Sequence, residues 1–260
     1  MWRALLFLPF IAQLATAQVI DVDIELVLAV DTSRSMDIDE LALQREGYAQ
    51  ALESPRFAQA VSGGMLGKIA LMYMDWGGSG RHRVILPWTI LTGPEDARTA
   101  AAILRAQPVA NLSGTGISGA VFQALNHIES NPIRGTRRVI DISGDGPNNE
   151  GRPVTDAREA ARALGIEVNG LPIMLKRAGG IYNLDTLDIY YQDCVITGPS
   201  AFVMPVDDPA QLTPAILRKL VLEIAGQMPE ARAQLRNAAP SNCLIGEQRR
   251  MQRGRIFNEP

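Results

Sequence analysis

The sequence predicts an α/β fold: a mostly parallel open sheet covered by helices on both faces, with one antiparallel hairpin at an edge. Three observations carry this reading. Short, nearly unbroken apolar runs such as Ile24–Val30 and Ile69–Trp76 fit strands buried on both sides. Longer stretches of helical periodicity alternate with them. Two of the runs, 68–76 and 83–91, flank the glycine-rich WGGSG segment at 76–80, a hairpin signal.

In chain order, Ile24–Val30 is the first strand, and a polar-apolar stretch from Asp39 to Val61 reads as helix. Asp37, Asp39 and Glu40 stand where acids cap free amides and complement the helix dipole. After the hairpin, helices are expected from near Pro94 and Glu95 and over Ile117–Ser130. The run Arg137–Ser143 is a strand, Val154–Leu164 a helix and Ile166–Met174 a strand. A helix across Asn183–Gln192, a short strand Ala201–Val206 and an amphipathic helix Pro209–Gln227 complete the pattern. The histidines, His82 and His127, are isolated in sequence. Trp76, Trp88, Tyr190 and Tyr191 read as packing residues before they read as a binding surface.

Residues 1–17 carry one positive charge, an apolar run and Ala15-Thr16-Ala17, which reads as a secretory signal cleaved before Gln18. No later stretch approaches the ~20 consecutive apolar residues needed to span a membrane. The expectation is a periplasmic or secreted protein without a transmembrane segment, its domain covering residues 18–228. A tail, 229–260, has six Arg against three Glu and lacks sustained periodicity, so it is expected to wrap the domain or fray. The net charge of −3 gives no general attraction to nucleic acid. Cys194 and Cys243 both fall in the exported part, where an oxidising compartment would let them pair and pin the tail; two unrelated thiols are the alternative. Pairing would close a loop of about fifty residues, on the order of 4 kcal/mol in the chain-entropy model.

Three loops carry oxygen ligands. Asp31, Ser33 and Ser35 follow the first strand, Thr115 precedes a helix in LSGTGISGA, and Asp145 follows a strand in VIDISGDGPNN. Ligands of open parallel sheets bind outside the carboxyl ends of strands. Glycines 114, 116, 144 and 146 allow close backbone approach there. Two carboxylates and three hydroxyls form a hard-oxygen set suited to magnesium, manganese or calcium, not zinc or copper. Each loop alone is equally consistent with capping or an ordinary turn.

Together, Asp31-x-Ser33-x-Ser35, Thr115 of SGTGIS and Asp145 of SGDG resemble the von Willebrand factor A-type domain and its metal-ion-dependent adhesion site, over roughly residues 22–227. More narrowly, the chain looks like an exported bacterial branch of that family without an established function. The resemblance implies a doubly wound, Rossmann-like sheet of six strands with a divalent cation, magnesium first, at its top. It also implies a protein or peptide partner that offers a carboxylate to the ion. Gly144 departs from the pattern, since many relatives carry Thr or Ser before the aspartate. A metal-dependent hydrolase is the competing reading, although no general base or nucleophile–base pair stands out in the three loops. An envelope assembly factor with a purely structural cation is the third.

Overall fold

The computed structural model describes residues 19–175, 184–229 and 240–258. The expected signal segment 1–17 lies outside them, as does the first residue of the helix expected over Asn183–Gln192.

Five strands form one sheet: β1 (Ile20–Asp31), β2 (Ile69–Trp76), β3 (His82–Leu91), β4 (Ile133–Gly144) and β5 (Glu167–Pro172), in the order β3-β2-β1-β4-β5. All neighbours are parallel except β2 and β3, the expected edge hairpin. Leu26, Leu28 and Val30 of β1 enter one core, and Val27 and Ala29 enter the core on the opposite face. This two-sided burial is why the stretch Leu26–Val30 is an unbroken apolar run.

The sheet has five strands, not six. The segment expected as the sixth runs beside β5 through isolated bridges, Gly170 to Val203 and Ile173 to Val206. Gly170 N–H donates to the Phe202 carbonyl (3.0 Å) and Met174 N–H to that of Val206 (2.7 Å). Between them stands Pro172, which has no N–H to donate, so the ladder is broken midway.

The single helix expected over 39–61 is two, α1 (Ile38–Glu53) and α2 (Pro55–Ser62). Pro55 cannot donate into a continuing helix, and Ser54 caps the second one. At the start of α1, Asp37 and Glu40 form a reciprocal capping box. Helices α3 (Pro94–Ala106), α4 (Ile117–Glu129) and α5 (Val154–Ala163) follow expectation within a few residues. Next comes α6 (Leu187–Tyr190), continued by a π-helical turn over Tyr191–Val195, then α7 (Leu212–Ala225). Within the tail, Ile245–Asn258 is a helix, α8.

Two charged clusters lie inside this frame. Arg45 of α1 makes two bonds to Asp75 of β2 at 2.7 and 2.8 Å. Lys219 of α7, fully buried, pairs with Asp141 of β4 at 2.6 Å and with Glu223 one helical turn on.

Candidate metal centre

The crossovers from β1 to β2 and from β4 to β5 leave the centre of the sheet in opposite directions, so a crevice opens above the carboxyl ends of β1 and β4. Asp31 is the last residue of β1, and Asp145 directly follows β4. Asp31 is fully buried, Ser33 and Thr115 are buried, Asp145 is half-buried and Ser35 is exposed.

A hydrogen-bonded chain connects four of the five expected residues. Ser33 N–H donates to Asp31 Oδ1 (2.6 Å), and the Ser33 and Ser35 hydroxyls are 2.8 Å apart. Ser35 then donates to Asp145 Oδ1 (2.5 Å), while Asp145 N–H lies 3.4 Å from Asp31 Oδ2. Thr115 joins from the loop between α3 and α4. That loop is fixed to the strand ends by Leu112 N–H on the Thr32 carbonyl (2.6 Å) and Gly78 N–H on that of Ser113 (2.8 Å). Behind Asp145, Asn149 N–H returns to the Thr115 carbonyl (2.8 Å). Ser35, Thr115 and Asp145 line one open cleft of about 400 Å³.

Electrostatically the buried floor of the site, at Asp31, is short of positive charge. Burial, reinforced by the Asp145 carboxylate, pushes the Asp31 carboxyl well above the usual carboxylate range; the amides of Ser33 and Asp145 offset this only in part. No lysine or arginine bonds to Asp31 among the described residues. Two acids, one desolvated, beside three hydroxyls are a donor set that a hard divalent cation fits. The Thr115 hydroxyl makes no internal bond among the described residues.

Gly144, the departure from the family pattern, has a steric reason. A Cβ at this position would stand 2.9 Å from Asp31 Oδ2, 2.9 Å from the Tyr191 hydroxyl and 3.2 Å from the Trp76 ring. Tyr191 occupies the space beneath the site that a larger residue would need, and its hydroxyl is buried without a hydrogen-bond partner among the described residues.

Sequence reasoning missed the ring of residues around these five. Asn148, fully buried, caps α4 from a distance by accepting the Ser118 N–H (3.0 Å), where Gly116 supplies no side-chain cap. It also donates to Glu247 of α8 (2.7 Å). Arg250 of α8 reaches Glu150 (2.6 Å) and the Asn149 carbonyl (3.2 Å). Cys194 and Cys243 are disulfide-bonded, Cα–Cα 5.4 Å, which holds the start of this helix segment against the π-helical turn. The Asn148-Asn149-Glu150 run was the only available signal. His82 and His127 do not line the cleft; their rings are in an edge contact at 6.3 Å, and Trp88 donates to the His127 carbonyl (3.1 Å).

A family profile described as "Protein of unknown function (DUF1194)" matches residues 21–228. The chain belongs to this family. No curated protein sequence matches it. Among solved structures, a von Willebrand factor type A protein from Catenulispora acidiphila superimposes with a TM-score of 0.55 at 16% identity, covering 78% of this chain and 43% of that one. The von Willebrand factor domain of the type V pilus tip protein Mfa5 from Porphyromonas gingivalis gives 0.55 at 11% identity, over 83% and 99% of the two chains. Proximal thread matrix protein 1 from the mussel byssus, solved with a zinc-occupied adhesion-site motif, gives 0.53 at 12% identity, over 78% and 46%. The DUF1194 chain thus spans less than half of the Catenulispora and mussel proteins. At such identities the likeness shows the fold, which is that of von Willebrand factor A-type domains with a five-stranded sheet.

Proposed function

We propose that this protein is an exported binding module in which Asp31, Ser33, Ser35, Thr115 and Asp145 hold a divalent cation, magnesium first, with manganese or calcium as substitutes. When bound, the cation supplies an electrophilic contact for a carboxylate on a protein or peptide partner. The observation that carries this reading is the convergence of a fully buried Asp31 and a cleft-lining Asp145 at the switch point, linked through Ser33 and Ser35. A desolvated carboxylate without a cationic side chain gains most from a metal ion. Both carboxylates serve the ion, which leaves neither as a general base and favours capture over turnover.

Residues 1–17 direct export, and the product is periplasmic or secreted; the Cys194–Cys243 bond fits an oxidising compartment. The neighbours named above that share this fold include a pilus tip protein and a thread matrix protein of the mussel byssus. The test is titration calorimetry of the purified protein with magnesium and manganese. Heat of binding in the wild type that disappears in Asp31→Ala, with the circular dichroism spectrum retained, supports the assignment; equal heats from both proteins refute it.

A further inference from the structure

We propose that the cleft takes an acidic peptide segment carrying two carboxylates, one for the cation and the second for the guanidinium groups of Arg34 and Arg250. This inference rests on the cation-bridging reading and specifies its ligand.

Both arginines line the same cleft as Ser35, Thr115 and Asp145. Arg34 stands between Ser33 and Ser35, is exposed, and makes no hydrogen bond or ion pair among the described residues. Arg250 is delivered from outside the span of the family profile, by a helix that four contacts set in place. These are the Cys194–Cys243 bond, Glu247 on Asn148, Arg250 on Glu150, and Gly246 packed on the Asn148 carbonyl so tightly that a Cβ would collide with it. Nη1 makes the bonds of Arg250 to Glu150 and to the Asn149 carbonyl, so Nη2 and Nε carry no bond among the described residues, and the side chain is half exposed.

Guanidinium groups beside a divalent cation repel it unless anions intervene. The charged groups that line the cleft are Asp145 and Glu150 against Arg34 and Arg250; the buried Asp31, which accepts the Asp145 N–H, and Arg81, bonded to Glu150 at 3.3 Å, add one charge of each sign. Formally these cancel. A divalent cation then leaves two positive charges, and two ligand carboxylates restore neutrality. Arginine is suited to the second contact because its planar fork matches a carboxylate in two parallel bonds. The volume of about 400 Å³ lies within the range of small-ligand clefts and admits a few side chains of an extended segment.

The test uses the intact oxidised protein on an array of synthetic nonapeptides in millimolar magnesium. One set carries a single Asp; the other adds a second Asp or Glu one to four positions further on. The expected result is a diacidic spacing that binds on the order of tenfold more tightly than single-acid peptides. Arg34→Gln and Arg250→Gln are each expected to lower diacid affinity toward the single-acid level. Arg34→Gln is the safer variant for folding, since that side chain supports no internal contact. Magnesium-dependent binding without preference for the second acid overturns this inference and leaves the cation bridge standing. A preference that survives both substitutions overturns the role of the arginines. Binding that persists in chelator, or no bound peptide at all, overturns the bridge and this inference with it.

Discussion

The hydroxyl of Tyr191 and the α-carbon of Gly144 face each other beneath Asp31 so closely that one added methyl on Gly144 would be 2.9 Å from that hydroxyl. Substitution here therefore reports on the floor of the site. Gly144→Ser is expected to cost about 1–3 kcal/mol of stability, as overpacking does, and to weaken magnesium binding. Tyr191→Phe added to it removes the colliding oxygen and should recover part of both losses. Thermal melts and calorimetry on the single and double variants check the coupling.

Asp31 gives the metal-free protein a pH signature. Its folded carboxyl titrates above the unfolded one, so the folded state holds the extra proton and this group's contribution to stability is present at low pH. That contribution is lost as pH rises through the raised value. Saturating magnesium should reverse the loss: at a hundred times its dissociation constant a ligand adds about 2.7 kcal/mol, a rise of roughly 5–10 °C in melting temperature for a domain of this size. Asp31→Asn should abolish the magnesium shift and flatten the pH dependence. Melting curves with and without magnesium at pH 5 and pH 8 decide it.

The Asp141–Lys219–Glu223 cluster makes a second, metal-independent prediction. Burial and the Asp141 charge push Glu223 up to about 7, against the opposing effect of Lys219. The folded state therefore retains a proton that the unfolded chain releases near 4.5, and stability from this group declines as pH rises toward and through 7. Glu223→Gln replaces the proton-dependent acceptor with a neutral one and should make the protein more stable than wild type at pH 8, with less difference at pH 5. Lys219→Met leaves two buried acids uncompensated and is expected to cost about 3–5 kcal/mol. Denaturant titrations at the two pH values distinguish these outcomes.

Breaking the disulfide is expected to lower stability by about 4 kcal/mol in the chain-entropy model, roughly 8–16 °C in melting temperature. Cys194→Ser with Cys243→Ser should also release Arg250 from Glu150. If the tail supports the second acid contact, the same double variant loses the preference for diacidic peptides while still binding magnesium in calorimetry.

Much of this architecture was legible because burial writes itself into periodicity. The apolar run Leu26–Val30 identified a central strand, whereas Asp31, Ser33, Ser35, Thr115 and Asp145 stood out only as a set, through their resemblance to the adhesion-site pattern, because each loop alone reads equally as a cap or a turn. What the sequence hid were effects of single atoms and of distant partners. Pro172, lacking one N–H, reduced a sixth strand to bridges, and Pro55 divided one helix into two. Asn148 caps α4 across thirty positions, a relation that no local pattern encodes. The tail helix has almost no amphipathic periodicity; its placement depends on a disulfide, one glycine and two polar contacts.

The Cys194–Cys243 bond also determines how the domain carries tension. Its partners are 49 positions apart, and α7 lies between them. Traction applied beyond Cys243 passes through the sulfur bridge to the turn that holds Tyr191 and bypasses α7 entirely. While oxidised, the enclosed segment is therefore shielded from the pull. Reduction would expose it, and its reach of roughly 160 Å would be gained only as the bridges of Val203 and Val206 to β5 and the Lys219–Asp141 pair came apart. For a module held between a surface and a partner, that length is a reserve that only a change of redox state can spend.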